Sequence, residues 1–412
     1  MGELIEEACS ICVTHSLEDV LSFMNSTQHR GREGAGIGGI GETLDVVTWI
    51  GTVGTIDSVD LHKLLPGKYH TFFGHVRYAT RGRKDLILED SHPHTIGGTI
   101  HHLGNHLVVN DCDVIGIHNG QVSEAYLSGI GKRLLRTNCD TEALLHYYKK
   151  YGEHNLLRHI PAAYTLAIAD KQRSEVMVLR DRTGIKPGVL GKLGGKHCVS
   201  SESVAFIDHH VQFKEELDLG TVYYLNSYGE YRKERVVEPF PKFCFFEWNY
   251  LAHIESVLSD VAVRVLRRQL GKNLAPEFKE LIHTISYVHH PGTLSLDDID
   301  LVTFLPRAPE AAAEEFAEKL NLPFASAFYK LRGERSFQGS NAAERKRSID
   351  ENLFLLYPMQ DKLKDKVVVI VDDSMVRGNN IARAHHLLYD IAGVKEAIYV
   401  LYTPPIGIIK DG

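Results

Sequence analysis

Two domains of different class are predicted by this sequence: first a pair of packed, largely antiparallel sheets, then an α/β domain on a parallel sheet. Three observations carry the prediction. Short β-like runs follow one another through the first half with few helices between them, the mark of packed antiparallel sheets. The second half alternates strand, helix and strand, which implies parallel pairing with crossover helices. A change of composition at about 236–250, around "VVEPFPKFCFFEWNY", separates the two. The 412 residues suffice for two domains at ~100–200 residues each.

In order along the chain, the strand-like runs are "LDVVTWIGTVG", "YHTFFGHVRYAT", "HLVVNDCDVIGIHNG", "AYTLAIAD", "EVMVLRD", "HCVSSESVAF" and "TVYYLNSYGEY". Helical patterns interrupt them at 17–27 and 139–151. Past the boundary, 256–286 reads as a long amphipathic helix. "DIDLVTFL" is a strand, "PEAAAEEFAEKLNLP" a helix and "KVVVIVDD" a strand. "NIARAHHLLYDIAG" is a helix closed by glycine, and "EAIYVLYTP" a final strand.

Composition narrows the function. The net charge of −7 argues against nucleic acid as a partner while allowing a local basic pocket for phosphate. No apolar run reaches the ~18–20 residues of a spanning helix, and "MGELIEEACSICVTH" is no signal peptide. Six cysteines are too sparse for a disulfide scaffold. A cytoplasmic protein is expected. Cys9 and Cys12 have CxxC spacing but lie inside a strand-like run, which disfavours a dithiol redox site. The histidine-rich stretch 91–106, "SHPHTIGGTIHHLGNH", lacks both a helical i, i+4 pair and a cysteine partner, so it reads as a polar hairpin and not as a zinc site.

One segment asks for a ligand. In "KVVVIVDDSMVRGNNIARA", residues 366–384, a buried strand runs into two adjacent aspartates, then a glycine and the start of a helix. Ligands of open parallel sheets bind at the carboxyl ends of strands. Gly378 permits a tight turn, and the amides that follow suit a phosphate. Asp372 and Asp373 suit sugar hydroxyls or a hard divalent cation. A phosphorylated sugar brought in with Mg²⁺ satisfies all three features.

This segment resembles the phosphoribosyl pyrophosphate (PRPP) motif of type I phosphoribosyltransferases. Its "DDS-x-VRG" form resembles the glutamine PRPP amidotransferase family. The first half carries six collinear resemblances to that family: "STQHRGREGAGI" (26–37), "GHVRYATRG" (74–82), "IHNGQV" (117–122), "TNCDTEALL" (137–145), "RDRTGIKPGVLGK" (180–192) and "SSESVAF" (200–206). The resemblance implies residues 1–8 as a short propeptide and a class II glutamine amidotransferase domain over 9–240. That domain would be an α+β sandwich of the N-terminal-nucleophile type, with αββα layers. A type I phosphoribosyltransferase domain of α/β parallel-sheet type would span 241–412, without the family's C-terminal helical extension. The implied enzyme makes 5-phosphoribosylamine, glutamate and pyrophosphate from PRPP, glutamine and water, the first step of purine synthesis. It would be a homo-oligomer open to nucleotide inhibitors.

The resemblance also assigns residues. Cys9 is the nucleophile, with its own α-amine, of pKa ~8, as base once the propeptide is removed. Asn119 and the N–H of Gly120 form the oxyanion hole. Arg30, Arg77, Thr80 and Asp140 hold glutamine. Asp372, Asp373, Ser374, Arg377, Gly378, Asn379 and Asn380 bind PRPP, and the two aspartates also hold the Mg²⁺ that accompanies it. Cys244 matches one cluster ligand of iron–sulfur members, but no cysteine follows it, so an iron–sulfur cluster is not expected in this chain.

The second half departs from the family pattern. Arg307 and Ala308 stand in the pyrophosphate loop "FLPRAPEAA" (304–312), where an acid and a hydroxyl are usual. Asp350 and Glu351 stand in the lid "RSFQGSNAAERKRSIDENLF" (335–354), where cations are usual. His253 and Ile254 replace an Arg-Pro pair. The alternative is therefore a diverged paralogue with a weak or inactive PRPP site, acting as a glutaminase or a regulatory binding protein.

Overall fold

The computed structural model describes residues 9–78, 87–127, 130–131, 134–288, 291–331, 352–375 and 378–404. The chain divides into two compact units, Met1–Glu247 with Leu251–Asp260, and Trp248–Tyr250 with Val261–Gly412. The crossover falls just past the composition shift.

Among the described residues, the large sheet system of the first unit holds thirteen strands: β1 Ser10–Thr14, β2 Gly34–Gly41, β3 Leu44–Ile50, β4 Tyr69–Arg77, β5 His94–Leu103, β6 His106–Gln121, β7 Ala163–Asp170, β8 Glu175–Arg180, β9 Val189–Leu193, β10 Lys196–Ser200, β11 Gln212–Glu216, β12 Thr221–Asn226 and β13 Tyr231–Arg235. They pair in the order 11-9-10-1-4-2-3-6-7-8-12-13, with β5 added along β6. The inner core takes Ile11, Val13 and Phe73 from one half of that order and Ile115, Ile117, Val178 and Tyr223 from the other. Two outer cores lie on the remaining faces. One packs helix α1, Leu17–Ser26, through Val20, Phe23 and Met24. The other packs helices α2, Asp140–Tyr151, and α3, Glu153–His159, through Leu144, Leu145, Leu156 and Leu157. Helix, sheet, sheet, helix is the layering expected from the sequence. Helix α1 starts where the Ser16 hydroxyl accepts from the Asp19 N–H at 3.1 Å, which satisfies one of the orphan donors of the first turn.

Strand β2, "GAGIGGIG", is glycine-rich because another chain segment lies directly on it. A Cβ on Gly34 would sit 2.2 Å from Ser91 Oγ, and one on Gly36 would sit 2.2 Å from the His92 carbonyl oxygen. "TVYYLNSYGEY" is two strands and a turn. The Asn226 side chain closes it by accepting from the N–H groups of Tyr228 and Glu230, each at 3.0 Å.

The second unit centres on three parallel strands, β14 Leu301–Phe304, β17 Val367–Asp372 and β18 Glu396–Leu401, in the order 14-17-18. A separate pair, β15 Phe328–Lys330 and β16 Leu353–Leu355, is antiparallel. One face of the parallel sheet is covered by helix α4, Val263–Leu281, and α5, Glu310–Leu320, through Phe278, Ala313 and Phe316. The other is covered by α6, Asn379–His386, and the wider turn Leu387–Ala392 that ends at Gly393. Helix α4 starts seven residues later than its periodicity predicts. Ser259 and Asp260 have φ of 48° and 60°, a backbone that a right-handed helix cannot include.

Candidate active sites

The first site gathers at the ends of β1, β4 and β6. Cys9 precedes β1 and is buried. Its sulfur accepts from the Tyr78 N–H at 3.5 Å and lies 3.8 Å from the Tyr78 carbonyl oxygen, so the thiol is fixed against the residue after Arg77. His75 of β4 meets the His118 carbonyl oxygen at 3.0 Å, tying β4 to β6 one residue before Asn119. Asn119 is fully buried, and among the described residues neither its amide nitrogen nor its carbonyl oxygen has a partner. An orphaned amide in a core is costly unless a ligand completes it. Gly120 is the next residue on the strand.

Asp140 opens helix α2. It accepts from the Val122 N–H at 2.6 Å and lies 3.5 Å from His118. Burial pushes its pKa up, but His118 and the backbone donor more than offset this and hold it below the ordinary carboxylate value. Arg77, at the end of β4, is paired with Asp90 at 3.5 Å. The structure thus brings Cys9, Arg77, Asn119, Gly120 and Asp140 to one neighbourhood. Thr80 lies outside the described residues.

Arg30 lies beneath the strand that Cys9 leads into. Expected on glutamine, it is fully buried and committed to the protein. It donates to the Cys9 carbonyl at 3.0 Å, to Glu202 at 2.5 Å and to Glu247 at 3.2 Å. Glu202 also takes His29 at 2.9 Å, the His253 N–H at 2.8 Å and Ser256 at 2.6 Å. This cluster anchors the backbone of Cys9. Glu202 lies inside the "SSESVAF" resemblance, but nothing in the local pattern marks it as the partner of an arginine 172 residues away.

The histidine-rich stretch is corrected in part. Residues 94–121 do form a hairpin, β5 with β6, with His101 and His102 exposed. His92 and His94 are buried, however, and Cys139 reaches them. Burial keeps the imidazoles neutral, with pKa lowered to about 3 for His75 and about 4 for His94. The Cys9–Cys12 pair is not bonded. None of the six cysteines is in a disulfide.

The second site is at the carboxyl end of β17. Asp372 and Asp373 are both buried. Asp372 accepts from the Asp373 N–H at 2.9 Å, and Asp373 from the Ser374 hydroxyl at 2.6 Å. Burial, and then the neighbouring Asp373, pushes Asp372 well above its ordinary value. Burial raises Asp373 to about 6, against the opposing pull of Ser374, Arg267 and Lys330. Two acids that resist ionisation side by side fit a divalent cation or a diol, either of which relieves the repulsion. Gly378, at φ 72°, turns the chain into α6, whose first turn holds Asn379 and Asn380. Arg377 lies outside the described residues. The loop after β14 runs alongside, with the Leu305 N–H donating to Val371 at 3.1 Å, so the Arg307 segment starts beside the aspartates. Lys330 and Arg267 act on Asp373, and neither was singled out from sequence. The lysine-arginine run "YKLRGER" is the signal that could have found the first.

Comparison with known proteins agrees with this geometry. A glutamine amidotransferase domain family matches residues 116–239. The amidophosphoribosyltransferase of Bacillus subtilis is 28% identical over 400 residues, covering 93% of this chain and 75% of the relative. The chloroplastic enzyme of Glycine max is 29% identical, covering 93% and 63%. That of Rattus norvegicus is 29% identical, covering 92% and 74%. Two solved structures superpose with a TM-score of 0.75 at 26% identity, over 97% of this chain and 82% of theirs. One is described as the allosteric regulatory enzyme of purine biosynthesis, the other as the B. subtilis glutamine PRPP amidotransferase with ADP and GMP. Over more than nine-tenths of its length, in sequence and in backbone alike, this chain is similar to the amidophosphoribosyltransferases and has their two-domain fold.

Proposed function

We propose that this chain is a glutamine-dependent amidophosphoribosyltransferase that turns PRPP, glutamine and water into 5-phosphoribosylamine, glutamate and pyrophosphate. The reading is carried by two buried groups: the Cys9 thiol at the head of β1, held by the Tyr78 N–H, and the orphaned amide of Asn119 near the end of β6. Removal of residues 1–8 frees the Cys9 α-amine, which takes the thiol proton near neutral pH. The thiolate attacks the side-chain amide carbon of glutamine. The Asn119 amide and Gly120 N–H stabilise the oxyanion, ammonia leaves with the proton, and water hydrolyses the thioester to glutamate. Arg77 and Asp140 hold the two charged ends of glutamine, and the Arg30 cluster keeps Cys9 in place.

At the second site Asp372 and Asp373 hold the ribose hydroxyls. Ser374, Arg377, Gly378, Asn379 and Asn380 cradle the 5-phosphate, and ammonia attacks the anomeric carbon as pyrophosphate departs. Mg²⁺, which the aspartates would help hold, neutralises charge on the pyrophosphate. Adenine and guanine nucleotides are candidate inhibitors, a homo-oligomer the candidate assembly and the cytoplasm the candidate compartment.

Cys9→Ala tests the reading. It should abolish glutamine hydrolysis and leave ammonia-dependent synthesis from PRPP intact. Glutaminase activity at the parent level in this variant would overturn the assignment. Loss of ammonia-dependent synthesis as well would point to a folding defect, which circular dichroism would register.

A further inference from the structure

We propose that His92, His94 and Cys139 form a binding site for a zinc-class divalent cation. One ligand atom from each of the three lies within 4.8 Å of the others. His92 precedes β5, His94 is its first residue and Cys139 caps helix α2, so the site joins the start of a strand to the start of a helix. The set is two imidazoles and a thiol, the borderline-soft donors that zinc and cobalt prefer over oxygen. Three protein ligands with the fourth position open is a usual zinc arrangement.

The donors are prepared for the ion. His94 Nε2 and His92 Nδ1 are buried without a hydrogen-bond partner among the described residues, although a buried ring nitrogen normally has one. His94 is also hydrogen-bonded to the backbone of Asp90, the outer contact that orients a metal-binding imidazole. His92 Nε2 faces the Cys139 sulfur at 4.0 Å and the Thr141 hydroxyl at 2.7 Å, so taking up the ion exchanges the Thr141 contact for a bond to the metal. Cys139 is half-buried and gives the ion an edge by which to enter. Tetrahedral bonds of ~2.0–2.3 Å place ligand atoms ~3.5 Å apart. The three must close by about an ångström, within the reach of rotamer changes. Binding releases the Cys139 thiol proton to solvent and leaves a thiolate on the metal.

Cobalt(II) is the probe. The full chain, freed of metal by a chelator, is titrated with Co²⁺, and near-ultraviolet and visible absorption are recorded. One equivalent should bind with a thiolate-to-cobalt charge-transfer band and tetrahedral d–d bands, and zinc should displace it. Cys139→Ser should lose the charge-transfer band, and His94→Gln should weaken binding at least tenfold. Cys9→Ala and Cys244→Ala should both keep the band, which excludes those two thiols as its source. Zinc should also raise the thermal midpoint of the parent and not of Cys139→Ser. Circular dichroism checks that each variant is folded. A band that survives in folded Cys139→Ser, or that disappears in Cys9→Ala, would overturn the proposal, as would folded parent protein that binds no stoichiometric cobalt.

Discussion

Two pairs of buried carboxylates sit in the two units of this chain, and they are treated in opposite ways. Glu202 and Glu247 flank Arg30, and Glu202 also receives His29, Ser256 and the His253 N–H. Burial would raise the Glu202 pKa, but His29 and Arg30 drive it well below the carboxylate range. Asp372 and Asp373 have each other, one serine and more distant cations, and both are raised. The first pair is complete at rest and acts as architecture beneath Cys9. The second is incomplete at rest, as the proposed ligand site requires. A buried charge with all its partners marks scaffold, and one without them marks a site.

The largest expected effect tests the first half of that contrast. Arg30→Ala leaves two carboxylates buried without their cation, which costs about 3–5 kcal/mol. Urea unfolding should show the loss, and glutamine hydrolysis should fall with it because the Cys9 carbonyl loses its anchor. A loss of hydrolysis with unchanged stability would instead place Arg30 on the substrate.

The second prediction concerns Asp373. Between about pH 4 and pH 6 the folded carboxyl keeps a proton that the unfolded chain has already released. The folded state then binds more protons, so stability falls as pH rises through that window, by about 3 kcal/mol in all. Asp373→Asn removes this slope and should be more stable than the parent at about pH 7.5. It should bind PRPP more weakly by about 1.5–3 kcal/mol, the worth of a charge-assisted hydrogen bond. Calorimetry and urea unfolding on one preparation measure both. A variant that loses stability at neutral pH would erase the contrast.

The smallest effect sharpens the incomplete side. Asp350 and Glu351 lie outside the described residues. Each carboxylate near a pyrophosphate costs on the order of 1 kcal/mol. Replacing both, Asp350→Arg with Glu351→Arg, should lower the PRPP concentration for half-maximal synthesis roughly ten- to a hundredfold. If Arg307 supplies the compensating charge, the double change does nothing and Arg307→Ala abolishes synthesis.

The sequence was most informative where chemistry and periodicity coincide. The strand "VVVIV" ending in two aspartates needed only the rule that ligands meet strand ends, and β17 delivers Asp372 and Asp373 to that place. Cys9, Asn119 and Asp140 were legible from short motifs. The partners of Arg30 were not legible because Glu202 and Glu247 lie 172 and 217 residues away, and no local pattern carries such a pairing. Cys139 stayed hidden as a neighbour of His92 for the same reason, with 47 residues between them. The start of α4 was misplaced because two residues of positive φ leave no trace in hydrophobic spacing.

The glycine-rich strand β2 makes the chain's mutational tolerance uneven in a foreseeable way. Gly34 and Gly36 leave no room for even one methyl group, whereas Gly54, Gly104, Gly131 and Gly152 would place a Cβ in open space. In a library of random single substitutions selected for function, the two β2 positions should be nearly silent. Gly54 and Gly131 should accept a broad range of residues, and the positive φ of Gly104 and Gly152 should narrow theirs. Surviving variants would then trace where the 91–94 segment rests on the sheet, so that sequencing alone would read out a backbone contact.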